Sequence, residues 1–134
     1  MDLWNFWHGN TEEYIDLLRV TYPAIHNADT NAMVMTGGFA TLTPHGGRRY
    51  LNLQRDVLNK SDEDLFDVHA MHQHGPFPMF RDIVEGQLAD MRSKMPKSRP
   101  LFFNETAISA SEGLQQQAEH VVKKIALAKA RGAV

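Results

Sequence analysis

The sequence predicts an α/β fold built on a small parallel sheet, and two observations carry that prediction. Short apolar runs that end in turn residues alternate with longer segments whose apolar residues recur at helical spacing. The resulting order is helix, strand, helix, strand, helix, strand, helix, and strands that alternate with helices pair in parallel through right-handed crossovers. At 134 residues, the chain is predicted to form one domain, 1–134.

Each predicted strand is a short apolar run closed by turn residues. The clearest covers 101–104, and Glu105 follows it directly. The two earlier strands are predicted at 32–36, before a Gly-Gly pair, and at 64–72, before a Gln-His-Gly-Pro turn. Because the carboxyl ends of parallel strands carry the chemistry of α/β proteins, Glu105 is a candidate catalytic residue. The alternative is a solvated carboxylate close to the N-terminus of the next helix.

Four helices are predicted between and around these strands. The first opens at Thr11 with an acidic first turn and ends near Pro23. The second and third cover 48–59 and 79–95, and the fourth begins at a Ser-x-x-Glu capping-box spacing and runs from 109 to 131. The apolar residues expected to face inward on the fourth helix are Leu114, Ala118, Val121, Val122 and Ile125.

Composition excludes several classes of function. Hydrophobic residues make up 43%, charged residues 22%, and the net charge is -2 with scattered basic residues, so neither a nucleic-acid nor a membrane partner is expected. The absence of cysteine removes disulfides, thiol nucleophiles and thiolate metal sites. The first residues lack a basic n-region, so we expect no signal peptide, and the compartment stays open. Two tryptophans within seven residues are unlike a polar chain end and suggest a segment of a longer protein.

Three local patterns, in order, resemble the second half of the clan A glycoside hydrolases. These are retaining glycosidases on a (β/α)8 TIM barrel, with glutamates at the ends of strands four and seven. MVMTGGFA at 33–40 is similar to strand five, FDVHAMHQHG at 66–75 to strand six, and FNETA at 103–107 to the end of strand seven. The resemblance implies a partial (β/α)8 barrel of about three parallel strands and four helices, from the loop after strand four to the helix after strand seven.

The resemblance implies that Glu105 is the nucleophile in hydrolysis of a β-linked sugar. Retaining hydrolysis needs a second carboxyl group, the acid/base, about 5–5.5 Å away. In the family it belongs to an Asn-Glu pair that would precede Met1, and Asp2 matches no catalytic position. We therefore expect a fragment that is weakly active or inactive alone and is completed by a complementing barrel half.

Carbohydrate binding is the role expected of the polar and aromatic residues near Glu105: Asn104, His72, His74, Trp4 and Trp7. His74 stands where a tyrosine is more usual in the family. Alternatives stay open, because Asn104 is also a common turn residue and one of the two tryptophans is expected to pack beneath the first helix.

The histidines at 69, 72 and 74 raise the alternative of a metal site. On a strand His72 and His74 point to one side and His69 to the other. Two imidazoles with a third ligand from His45 or Glu105 would suit zinc. Sugar recognition is the preferred interpretation, and neither a metal nor another cofactor is predicted.

An alternative of a different class is a non-catalytic half-barrel or sugar-binding module that self-associates. A three-stranded sheet covered on one face leaves its other face and both edges exposed. A homo-oligomer would cover them.

Overall fold

The computed structural model describes residues 7–40 and 47–134, and within them it contains a three-stranded parallel sheet. Strands β1 (Phe39–Ala40), β2 (His69–His72) and β3 (Leu101–Glu105) lie side by side in that order. Both pairs are parallel, which confirms the predicted mixed α/β fold with a parallel sheet. The candidate residue Trp4 and the alternative ligand His45 lie outside the described residues.

Helices separate the strands along the chain: α1 (Thr11–Ala28), α2 (Gly47–Leu58), α3 (Phe77–Asp82), α4 (Ala89–Ser93) and α5 (Leu114–Ala130). A π-helical turn, Ile83–Leu88, joins α3 to α4, so together they occupy the place of the predicted third helix. No helix in the described ranges has both the length and the apolar character needed to cross a membrane.

Helix α1 begins where the sequence predicts and ends later. Asn10 Oδ1 accepts from the Glu13 amide at 2.9 Å, and the Glu13 carboxylate accepts from the Asn10 amide at 2.7 Å, which forms a capping box. The helix continues through Pro23 to Ala28, although proline removes one helical hydrogen bond. Side-chain bonds from this last part of the helix to the sheet, described below, offset that loss.

The first predicted strand, 32–36, is the least regular part of the sheet. Only an isolated bridge joins Met35 to Val68, and β1 itself begins at Phe39. The ladder is interrupted because the Thr36 hydroxyl, in place of a backbone carbonyl, accepts from the Ala70 amide at 2.9 Å. The Gly-Gly pair that was expected to close the strand instead lies between its two parts.

The second predicted strand, 64–72, is shortened to β2, and in its first half the Asp67 side chain adds to the backbone hydrogen bonds with the segment at Val34. The Asp67 carboxylate accepts from the Val34 amide at 2.7 Å and from the Tyr22 hydroxyl at 2.9 Å, and it lies 3.1 Å from His26 Nε2. These hydrogen bonds lower the pKa of Asp67 although its partial burial acts in the opposite direction. The amino-terminal end of the sheet is thereby tied to the last turns of α1.

The hydrophobic core lies between the helices and one face of the sheet. Its fully buried members include Ile15, Val57, Leu58, Phe66, Met71, Phe80 and Leu88. Burying each such side chain contributes roughly 1.5–3 kcal/mol. The core therefore fixes the helices on the sheet face opposite to the one that His72 occupies.

Helix α5 presents a different face to the sheet from the one predicted. Leu114, Val122 and Ile125 are 76%, 67% and 55% exposed, whereas Lys124 and Ala128 are buried. The inward apolar face expected from periodicity was therefore wrong, because the lysine stem packs like an aliphatic side chain while its ammonium group finds a backbone acceptor.

The predicted start of that helix was also wrong. Residues Ala110–Glu112 form a 3₁₀ turn, and Gly113, at φ 94°, separates it from α5. The Ser109 hydroxyl accepts from the Ser111 amide, so the expected capping box is not formed. A left-handed residue at this position interrupts the helix, and glycine is the residue that adopts it without strain.

A fourth parallel segment begins beside β3. Gly132, at φ 80°, turns the chain after α5, Ala133 bridges to Leu101 in parallel, and the Val134 amide donates to the Leu101 carbonyl at 3.0 Å. Neighbours in sequence are therefore neighbours in the sheet throughout.

His69 is fully buried between the sheet and the helices. Its Nδ1 lies 3.2 Å from Arg92 Nη1, and its Nε2 lies 2.9 Å from the Gln54 amide group. Because arginine only donates, Nδ1 accepts and the neutral ring carries its proton on Nε2, which donates to Gln54 when that amide is oriented with its otherwise unpartnered Oε1 toward the ring. Burial, with a smaller contribution from the Arg92 charge, lowers the pKa of His69 to about 3.

We predict that this histidine makes the fold less stable in mild acid. In the unfolded chain His69 binds a proton below its ordinary pKa of 6.5, whereas in the folded chain it does so only below a pKa of about 3. The free energy of unfolding therefore falls as the pH falls from 6.5 to about 3. Denaturant unfolding should show a loss of about 2 kcal/mol between roughly pH 8 and pH 5 from this group. His69→Gln should flatten the profile over that range, and an unchanged slope in the variant would contradict the prediction.

Candidate active site

The carboxyl ends of β2 and β3 bring three polar side chains together. His72 ends β2 and is paired in register with Glu105, the last residue of β3, across an irregularity at 71–72. His74 follows two residues after β2. The structure thus gathers Glu105, His72 and His74, three of the residues predicted to form the site.

Both imidazoles lie at the same oxygen of the glutamate. Glu105 Oε2 is 3.5 Å from His72 Nδ1 and 3.5 Å from His74 Nε2. The side chain of His72 is completely buried, whereas those of His74 and Glu105 are 44% and 46% exposed. The carboxylate is therefore held from behind by a buried ring and remains open to solvent on its other side.

The backbone ladder continues past the ends of β2 and β3. The Gln73 amide donates to the Glu105 carbonyl at 3.1 Å, and the Gly75 amide donates to the Ala107 carbonyl at 2.9 Å. The Thr106 hydroxyl donates to the Gln73 carbonyl at 2.7 Å. These hydrogen bonds join the loop after β2 to the loop after β3. They thereby fix the positions of both histidines relative to the glutamate.

Gly38 leaves the space that the His72 ring occupies. A Cβ atom at Gly38 would lie 1.9 Å from His72 Nε2, well inside contact distance. The glycine is thus required for close approach of the β1 segment, and sequence reasoning treated it only as a turn residue. A three-dimensional contact was needed to find it.

Trp7 lies behind the site and packs on α1. Its ring meets Tyr14 edge-on at 5.4 Å between centroids, and its indole N–H donates to the Asn10 carbonyl at 3.1 Å. The Tyr14 hydroxyl in turn accepts from the Gly37 amide at 2.8 Å, beside the glycine that accommodates His72. This packing matches the alternative for one of the two tryptophans, and a role for Trp7 in sugar binding stays a prediction.

Asn104 is exposed at the tip of β3, next to Glu105. Asp2 lies outside the described residues, and the other carboxylates considered lie elsewhere: Asp67 at the amino-terminal end of the sheet, Glu12 and Asp16 with Arg19, Glu13 in the α1 cap, and Glu112 on the exposed 3₁₀ turn. Within residues 7–40 and 47–134, the site therefore has one carboxylate with two imidazoles.

A metal site finds no support in the part of the chain that the structure describes. Within residues 7–40 and 47–134, no group of three or more histidine, aspartate or glutamate side chains is arranged to hold a metal ion. His69 faces the helices, away from the other two histidines, as the alternation of side chains along a strand predicts. Zinc would need three or four such ligands.

Comparisons with protein-family models, with curated proteins and with solved structures find no match to the chain. Only the residues and geometry of the site therefore point to a function.

The contact between Gly38 and His72 leads to a test. Gly38→Ala should destabilise the fold by about 1–3 kcal/mol, because the added methyl group forces the buried ring to move. The displaced ring should also change the NMR signals of the His72 imidazole. Denaturant unfolding and NMR together measure both effects.

Gly86→Ala is the matched control for this substitution. A Cβ atom there meets no atom within 4 Å, so the change should be neutral or stabilising by up to about 1 kcal/mol. If Gly38→Ala proved as stable as Gly86→Ala and left the His72 NMR signals unchanged, the claim that the His72 ring requires glycine at position 38 would be wrong.

Proposed function

We propose that the chain is the nucleophile-bearing part of a retaining glycoside hydrolase that acts on a β-linked sugar. The observation that carries the proposal is Glu105, half-exposed at the carboxyl end of a parallel strand with two imidazoles at one of its oxygens. Carboxyl ends of such strands are where barrel enzymes place catalytic groups.

The order of the strands supports a partial (β/α)8 barrel as the scaffold. β1, β2, β3 and the segment at Ala133 are parallel, and each is beside the next in sequence. A barrel has this sequential order, whereas a doubly wound sheet reverses its order at a switch point. One helix, or one helical rod, lies between each pair of strands.

Glu105 would act in two steps. A carboxylate oxygen first bonds to the anomeric carbon while the glycosidic C–O bond breaks and the leaving oxygen takes a proton from an acid group. Water then attacks the same carbon, giving up a proton to that group, and the carboxylate leaves. An imidazole N–H directed at Oε2 from His72 or His74 would stabilise the attacking carboxylate and hold its orientation.

The acid group of this reaction is assigned to another segment or chain. Without it, only leaving groups that need no protonation depart readily. The substrates that suit the chain alone are therefore aryl β-glycosides with acidic phenol leaving groups. Asn104, beside the nucleophile, is proposed to contact a sugar hydroxyl.

Hydrolysis of nitrophenyl β-glycosides tests the role of Glu105. Glu105→Gln should lower the rate by at least about 100-fold, to background, because an amide cannot form the glycosyl ester. Glu112→Gln, an exposed position on the 3₁₀ turn, is the matched control and should keep the full rate. Equal rates for Glu105→Gln and the unmodified chain would exclude the nucleophile role.

Trapping the covalent glycosyl intermediate on Glu105 provides a second measurement, which does not depend on turnover. A 2-deoxy-2-fluoro glycoside with an activated leaving group should add its sugar mass to the peptide that contains Glu105. The adduct should be absent in Glu105→Gln and present in Glu112→Gln. An adduct on a different peptide would assign the nucleophile elsewhere.

A specific observation also favours the second candidate function, a half-barrel that self-associates. The outer helices α1 and α5 each carry an exposed apolar row, Leu17 and Val20 on α1 and Leu114, Val122 and Ile125 on α5. α1 has three carboxylates and one arginine, whereas α5 exposes two lysines, Lys123 and Lys129, and one glutamate, its third lysine being buried. We propose a second copy as the occupant, with α1 of one copy against α5 of the other and the same contact repeated by the two-fold axis.

Light scattering with size exclusion tests this association. We expect the mass of a dimer, and Val122→Asp should shift it to the monomer because a carboxylate would be buried in the apolar contact. Gln116→Asp, also exposed on α5 but on the opposite side of the helix, should leave the dimer intact. A monomer at every concentration tested would refute self-association and leave a complementing half as the partner.

A further inference from the structure

Helix α5 carries a row of polar side chains that the candidate site does not account for. Gln117, His120 and Lys124 are spaced three and four residues apart, so they share one face of the helix. This polar row points toward the sheet, where apolar residues were expected. Each of its members makes a hydrogen bond to the loops that follow β2 and β3.

Lys124 and Gln117 hold the loop after β3. The Lys124 ammonium group, fully buried, donates to the Ala107 carbonyl at 2.9 Å, and the Gln117 amide donates to the Ile108 carbonyl at 3.1 Å. Ala107 lies two residues after Glu105, and its carbonyl also accepts from the Gly75 amide. One carbonyl thus joins the loop of the glutamate, the loop of His74 and α5.

His120 holds the loop after β2. Its Nδ1 accepts from the Phe77 amide at 2.6 Å, at the start of α3 and three residues after His74. That amide lies in the first turn of α3, where backbone donors have no acceptor within the helix, and no side chain at Pro76 caps α3. His120 Nδ1 therefore serves as the acceptor that this amide lacks within the helix.

Burying an ammonium group is costly, which makes Lys124 informative. Burial lowers the pKa of Lys124, and the Phe80 ring at 5.6 Å offsets only part of the lost hydration. A methionine of similar length would fill the same space without that cost. The position therefore carries a charge where packing alone would favour an apolar residue.

We propose that Gln117, His120 and Lys124 are positioning residues, which set the placement of His74 relative to Glu105 by anchoring both loops to one rigid helix. Only the expected effect of these residues on hydrolysis rests on the proposed function. The anchoring itself is measured without sugar, so its failure is distinguishable from failure of the nucleophile assignment. A helix of 17 residues is a suitable common support, because loops anchored to the same rod cannot move independently.

Two pairs of variants in the full chain test the proposal. Lys124→Met removes the ammonium group and keeps the stem, and Lys123→Met is its exposed neighbour and control. His120→Leu removes the acceptor, whereas His120→Asn places an amide oxygen where Nδ1 was and should restore it. The readouts are hydrogen exchange at the Gly75 and Phe77 amides, the NMR signals of the His74 imidazole, and denaturant unfolding.

In Lys124→Met the Gly75 amide should exchange about tenfold faster or more, the factor given by a hydrogen bond worth about 1.4 kcal/mol. In His120→Leu the Phe77 amide should respond in the same way. Both variants should shift the His74 signals, whereas Lys123→Met and His120→Asn should match the unmodified chain. Rescue by asparagine separates anchoring from a general loss of packing.

The proposal is overturned if His74 signals and loop exchange are unchanged in folded Lys124→Met and His120→Leu. It is equally overturned if His120→Asn behaves like His120→Leu, since the acceptor would then be irrelevant. If Lys124→Met does not fold, the two His120 variants and Gln117→Leu test the proposal instead. The measurement for Gln117→Leu is the NMR signals of the His74 imidazole. Activity on aryl glycosides, where present, should fall in kcat rather than rise in KM for the anchoring variants.

Discussion

The parallel pairing of β2 with β3, and its continuation beyond both strand ends, is the constraint on which the rest of the site depends. Strand pairing alone would place His72 beside Glu105 and leave His74 on an independent loop. The further bonds from Gln73 to Glu105 and from Gly75 to Ala107 extend the ladder into that loop. Hence the backbone hydrogen bonds set where Glu105, His72 and His74 lie relative to one another.

Local sequence information was sufficient wherever neighbouring residues alone decide the outcome. The apolar run before Glu105 predicted β3, and the two-residue period of a strand predicted that His69 and His72 lie on opposite sides. The same residue type consequently has two environments: His69 is sealed between Gln54 and Arg92, and His72 meets a carboxylate. The role of Gly38 depends on a contact 34 residues away, and no local pattern reports such a contact.

Helix α5 shows where periodicity misleads. Leu114, Val122 and Ile125 recur at helical spacing and were expected inside, yet the buried positions belong to Lys124 and Ala128. Two faces of this helix carry apolar residues. One of these faces packs on the sheet, and the other is exposed. Hydrophobicity alone cannot rank the two faces, and the buried face carries the polar side chains that bond to the loops after β2 and β3.

The π-helical turn Ile83–Leu88 sets the direction, around the helix axis, in which the side chains of α4 point. Phe80 contacts Phe103 before the turn, and Arg92 contacts His69 after it. Twelve residues of regular α-helix would leave those two side chains about 120° apart around the axis, and one extra residue in the turn removes about 100° of that angle. A regular α-helical path over the same twelve residues would swing Arg92 off the sheet and leave a buried imidazole without its donor, so the extra residue in this turn is matched to the strand beneath it.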